Sequence, residues 1–87
     1  MKFYIVHFHK NIQTRKTISD ADDFGLETEL KQIVEYNRNP PNKHSSIVLM
    51  PFDPFDYNLF TDKFHNIYPD LDSNKHIIQN IQPTLVD

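Results

Sequence analysis

The chain has 87 residues, a net charge of -3, one glycine and no cysteine or tryptophan. That length holds a single hydrophobic core spanning residues 1–87, and the missing cysteines exclude disulfides, thiolate zinc sites and cysteine nucleophiles. A lone glycine excludes the Gly-rich loops that cradle phosphates.

No stretch approaches the roughly 18 apolar residues of a membrane span, and the apolar run at the N-terminus is too short for a secretory leader. A small domain without staples suits a reducing compartment, so the expectation is a soluble, cytoplasmic protein with no membrane partner. Seven Phe and four Tyr compensate for the few core positions. Abundant Ile, Asn, Lys, Phe and Tyr are the products of A/T-rich codons, which points to an A/T-rich genome such as that of a phage or mobile element.

Residues 2 to 8 carry apolar side chains on both alternating faces, which predicts a central strand. His9 to Ile12 reads as a turn, with Asn11 suited to the left-handed conformation. Gln13 to Ile18 is polar and basic and reads as a short edge strand, its Lys and Arg guarding against foreign pairing. Ser19 opens an acidic stretch suited to the positive end of a helix. Beyond Gly25, Leu26, Leu30, Ile33 and Val34 recur at helical spacing and predict an amphipathic helix ending near Asn37. Asn39 to His44, with its double proline, is a loop.

Ser46 to Phe52 predicts a buried strand. Asp53 then reads as an N-cap with Pro54 in the first turn and Phe52 stapled onto Tyr57, opening a second helix with the stripe Tyr57, Phe60, Phe64 and Ile67. Pro69 stops it. Residues 76–82 fit either a helix or a strand, and isoleucine content with Pro83 favours a strand. The outcome is a small two-layer ββαβαβ domain, α+β or α/β, with a mixed sheet and two amphipathic helices. Right-handed crossovers would place the first and third strands as parallel neighbours.

Candidate chemistry is sparse. His7 and His9 share one strand face and are weak candidates for metal ligation, with Asp53 to complete a hydrolase or nuclease site if it lies nearby. Asp70 to Asn74 and Asp20 to Gly25 resemble calcium loops but lack the residues such loops need at later positions. Asp23-Phe24-Gly25 matches a kinase signature in a chain too short to be one. Lys2, Lys10, Arg15 and Lys16, with no acid before Asp20 and with Tyr4 and Phe8 close by, could bind nucleic acid. The net negative charge opposes that, so direct nucleic-acid binding is not expected.

No catalytic set and no cofactor site stand out. The expectation is a non-enzymatic regulator or inhibitor that binds a larger protein, itself a candidate nucleic-acid-binding one. Its contacts would be acidic helical faces (Glu27, Glu35, Asp56, Asp62) that imitate a phosphate backbone, or the aromatic residues Tyr36, Phe52, Phe55 and Tyr68 outside the core stripes.

Overall fold

A computed structural model gives the structure of the chain and describes residues 1–79. Strands β1 (Lys2–His9), β2 (Ile12–Asp20) and β3 (Ser45–Pro51) form one sheet in the order β2-β1-β3, with helices α1 (Asp23–Arg38) and α2 (Tyr57–Ile67) against it. The domain is α+β and two-layered, as its patterning predicts. No helix among the described residues is long and apolar enough to cross a membrane.

The hairpin turns on two residues, Lys10 and Asn11, both at positive φ (52° and 64°). That pairing matches the right-handed twist of the flanking strands, so the loop can be as short as two residues. The Lys10 N–H donates to His44 O at 3.0 Å, which ties the turn to the loop before β3. β2 is longer than the polar run suggests, and it bulges: His7 faces Arg15 while Phe8 faces Gln13, leaving Thr14 as the extra residue. Such a bulge twists the outer strand and disfavours pairing along its free edge.

The expected parallel pairing of β1 and β3 is corrected: Phe3 lies opposite Pro51 and His9 opposite Ser45, an antiparallel register. Because β2 and β3 are both antiparallel to β1, they run in the same direction, and the α1 crossover joins these two with β1 between them. β1 is thus central by being flanked on both edges, while one of its faces packs under the helices and the other holds Val6 against Val48 and Met50.

α1 starts earlier than the sequence implies. Ser19 and Asp20 belong to β2, and Asp22 is the N-cap, its Oδ1 accepting from Gly25 N–H at 2.8 Å. A Cβ at Gly25 would sit 3.0 Å from Ala21 Cβ and 3.2 Å from that Oδ1, so the cap closes best on a residue without a side chain. Asp53 caps a 3-10 turn (Pro54–Asp56) that runs directly into α2, accepting from Phe55 N–H at 3.0 Å. Phe52 does not staple onto Tyr57 but packs on Tyr4, with ring centroids 5.8 Å apart.

Strand alternation splits the core. Phe3, Ile5, Ile47 and Leu49 point to the helices and meet Leu26, Leu30, Ile33, Val34, Phe60 and Phe64, with Phe3 and Phe60 in an edge-to-face pair at 6.1 Å. The opposite face buries a smaller cluster, Val6, Val48 and Met50, with Tyr4, Phe8 and Ile78 packed around it. Phe3, Ile5, Val6, Leu30, Ile33, Val34, Val48, Leu49, Phe60 and Phe64, which the periodicities select as core, are all buried, in two clusters. The expected strand at 76–82 reduces, within the described residues, to a parallel bridge between Ile77 and Leu49; the rest of that stretch lies outside them. A second 3-10 turn (Ser73–Lys75), capped by Asp72, delivers the chain to this edge. Ile77 then enters the helix-side core and Ile78 the other cluster, as alternation demands.

Candidate functional site

One end of the molecule gathers the start of β1, the end of β2, the start of α1, the end of β3 and the start of α2. It is held together by backbone bonds from Ala21 N–H to Met1 O (3.0 Å) and from Phe52 N–H to Lys2 O (3.2 Å). The N-terminal ammonium pairs with Asp20 at 3.0 Å, and Lys63 of α2 reaches Asp23 of α1 at 2.7 Å.

This same end leaves large apolar groups in water. Phe55 is 95% exposed and Phe24 77%, while Met1, Phe52 and Leu59 are between about a third and a half exposed. Each has a local reason. Phe55 occupies the 3-10 turn before α2 completes its first turn, and Leu59 lies off the Tyr57, Phe60, Phe64, Ile67 stripe that seats the helix. Phe24 sits in the first turn of α1, two residues before the first buried position, Leu26. Between the two helices lies a shallow pocket of about 270 Å³ lined by Met1, Asp23, Leu59, Asp62, Lys63 and Asn66. Ile12 and Ile18 of β2 are exposed too, Ile12 at the opposite end, but five of the seven large exposed apolar residues among those described lie at this one, and a collection is more informative than the same number scattered.

Carboxylates rim this end. Asp22 and Asp53 are consumed by caps, and Asp20 and Asp23 by ion pairs. Asp56 and Asp62 make no ion pair among the described residues.

The residues singled out from sequence therefore divide. Phe52, Phe55, Asp56 and Asp62 all lie at this end, Phe52 against Tyr4 on the sheet face away from the helices and Asp62 in the pocket between the helices. Glu27 and Glu35 do not join them: Glu27 pairs with Lys31 at 3.2 Å, and Glu35 accepts from Asn39 Nδ2 at 3.0 Å near the far end of α1. Tyr36 and Tyr68 are packed side chains, Tyr36 edge-on to His7 at 6.2 Å and Tyr68 against Phe64 at 5.5 Å. Met1, Phe24 and Leu59 were not singled out by sequence; for Leu59 the available signal was its position off the core stripe.

The hydrolase constellation is not assembled. The antiparallel register places Asp53 beyond the Pro51 end of β3, while His9 stands opposite Ser45 at the other end. Six residues of strand separate the two, on the order of 20 Å. His9 instead faces His44 at 6.4 Å and Ser45 Oγ at 3.4 Å. No group of three or more potential ligands clusters among the described residues. In the basic hairpin the Tyr4 ring is already covered by Lys16 Nζ at 4.2 Å, and Phe8 packs against the smaller cluster, so neither ring is free to stack on a base.

At the opposite end a polar network was also missed by sequence. The Asn37 side chain reads both backbone groups of Ile47, accepting from its N–H at Oδ1 and donating to its carbonyl from Nδ2, each at 2.8 Å. The same Nδ2 lies 2.9 Å from His76 Nδ1, and the His76 ring stacks on Phe64 at 5.4 Å. Burial lowers the His76 pKa below its usual 6.5; Asp72 opposes this, and Lys75 and Arg38 add to it.

Comparison with protein-family models, with curated proteins and with solved structures finds no match.

Proposed function

We propose that the chain is a non-enzymatic protein-binding module, a regulator or inhibitor of a larger cytoplasmic protein, and that it docks through its apolar end. The observation that carries this reading is the collection of Met1, Phe24, Phe52, Phe55 and Leu59 at one end, where Asp56 and Asp62 make no ion pair among the described residues. An interface with that anatomy has aromatic anchors at its centre and charge at its rim. The partner it fits presents a groove for Phe55 and basic residues around it, as a nucleic-acid-binding protein does. The absence of cysteine supports a reducing compartment.

The test is affinity capture from the source cell with four baits: the natural chain, Phe55→Ser, Asp62→Lys and, as a control, Glu35→Lys. A stoichiometric partner should be held by the natural chain, lost by Phe55→Ser and weakened by Asp62→Lys, with association slowing as salt is added. Glu35→Lys, at the far end, should capture as well as the natural chain. A partner retained equally by all four proteins would place the interface elsewhere.

A further inference from the structure

The opposite end of the molecule holds an open pocket of about 370 Å³, lined by Val34, Asn37, Arg38, Ser46, Leu71, Lys75 and His76. It lies between the last turn of α1, the start of β3 and the 3-10 turn at Ser73–Lys75, well away from the apolar end. Its volume falls within the range of small-molecule sites.

The protonation state of its polar wall follows from Asn37. Because Oδ1 of that amide accepts from Ile47 N–H and Nδ2 donates to Ile47 O, the amide cannot be reversed without setting donor against donor. Nδ2 therefore also donates to His76, and His76 Nδ1 must be the acceptor. A histidine that accepts at Nδ1 and is neutral carries its proton on Nε2. The donating amide protons of Asn37 are spent within the network, so what the polar wall has left to offer is the Arg38 guanidinium, the Lys75 ammonium, the His76 Nε2–H and the Ser46 hydroxyl. All but the hydroxyl can only donate.

Among the described residues, no carboxylate lines the pocket. Of the nearby acids, Glu35 touches Arg38 only at 3.9 Å and is engaged by Asn39, while Asp72 accepts from Asn74 N–H at 3.0 Å. Val34 and Leu71 supply apolar walls to the same pocket. A wall of donors and cations beside an apolar wall fits a ligand with an anionic head and an apolar body.

We propose that this pocket binds a small organic carboxylate, its head held by Arg38, Lys75 and the His76 Nε2–H and its body laid on Val34 and Leu71. A free acid and a peptide's C-terminus present the same group, and the experiment distinguishes them. This site is independent of the protein-docking end and would stand if that reading fell.

The experiment is an NMR titration of the full chain with benzoate, with a short leucine-ending peptide in free-acid and amidated forms, and with inorganic phosphate and benzyl alcohol as controls. Benzoate or the free-acid peptide should shift the methyl signals of Val34 and Leu71 together with the His76 ring, and should raise the His76 pKa as the new anion offsets its cationic neighbours. Which of the two binds tells a metabolite site from a peptide-end site. Arg38→Gln and Lys75→Gln, both at exposed positions, should each weaken binding roughly tenfold, as the loss of a charge-assisted contact does. The proposal is overturned if neither carboxylate binds at millimolar concentration, if phosphate or benzyl alcohol binds as well as benzoate, or if both glutamine variants bind like the natural chain.

Discussion

The two ends of this small domain treat their side chains in opposite ways. At the end where β1 begins, apolar groups stand in water while Asp20, Asp22, Asp23 and Asp53 are tied down locally by caps and ion pairs. At the end where β3 begins, polar groups run inward and satisfy one another, as Asn37 does with Ile47 and His76. The exposed side chains of the first end make few contacts within the fold; the network of the second contributes to folding and constrains the chain beyond Ser73. Substitutions should therefore separate cleanly, costing stability at one end and contact at the other.

The reference for that separation is the layer between the ends. Phe60 is fully buried, edge-on to Phe3 and facing α1, so Phe60→Ala removes a ring from the centre of the larger cluster. The expected loss is about 3 to 5 kcal/mol, enough to leave much of a marginal domain unfolded by urea titration. Val48→Ala, in the three-residue cluster on the other sheet face, should cost clearly less, because fewer buried neighbours lose contacts there. Equal losses would show that both faces share one cooperative core.

At the polar end, Asn37→Ala leaves the Ile47 N–H and carbonyl without their partner and removes the anchor of His76. A loss of about 1 to 3 kcal/mol is expected from stranding partly buried backbone groups. His76 adds a pH dependence to this end. Burial favours its neutral form, so its pKa in the folded chain lies below the unfolded value of 6.5. The unfolded chain then binds more protons in that interval, and stability contributed by His76 is complete above pH 6.5 and falls as the pH drops toward the folded pKa. Protonation also places a donor at Nδ1 against the Asn37 amide. Exchange of the Leu49 and Ile78 amides, which pair across this edge, should accelerate in that acid range before the β1–β2 amides do. A His76→Gln chain, which keeps an acceptor but cannot charge, should lose the acid sensitivity.

What was legible in the sequence follows the same division. Periodicity found α1, α2, β1 and β3 because each buries a stripe or an alternating set, and Leu30, Ile33 and Phe60 mark those faces unambiguously. The direction of β3 was not legible, since an apolar run such as Ile47 to Met50 reads alike in parallel and antiparallel sheets. Ile77 and Ile78 suggested a strand and supply one bridge, because two alternating isoleucines suffice to fill both clusters at the edge of β3. The exposure of Phe55 and Phe52 was legible from their position outside the stripes, whereas Asn37 and His76 carry no local signal: they are 39 residues apart and meet only through the fold.

A smaller effect is expected at the start of α1, where the apolar end does contribute to folding through a cap. Asp22→Ala removes the side-chain acceptor for Gly25 N–H and should cost about 1 kcal/mol, the usual worth of an N-cap. Gly25→Ala should also destabilise, despite alanine's helix preference, because its Cβ would crowd Ala21 Cβ and the capping oxygen. If Gly25→Ala were instead stabilising, the first turn of α1 would be looser than the cap geometry implies.

The smallest effect on folding, and the sharpest test of the apolar end, is expected at Phe55. Its ring is almost wholly in water, and the 3-10 turn that carries it is held by the Asp53 cap and by Asp56 N–H bonding to Asp53 O at 3.0 Å. None of those bonds involves the ring, so Phe55→Ser should change stability by no more than about 0.5 kcal/mol while removing the largest exposed anchor. Its midpoint in urea should match that of the natural chain, and the slope should be unchanged because the same core is exposed on unfolding. Leu59, one helical turn further along, should behave in the same way, and the double variant should be additive in stability and more than additive in lost partner binding if the two side chains enter one groove. If Phe55→Ser instead destabilised the chain by 2 kcal/mol or more, the ring would have to be packed in solution. The contrast between a contact end and a folding end would then give way to a domain that is structural throughout.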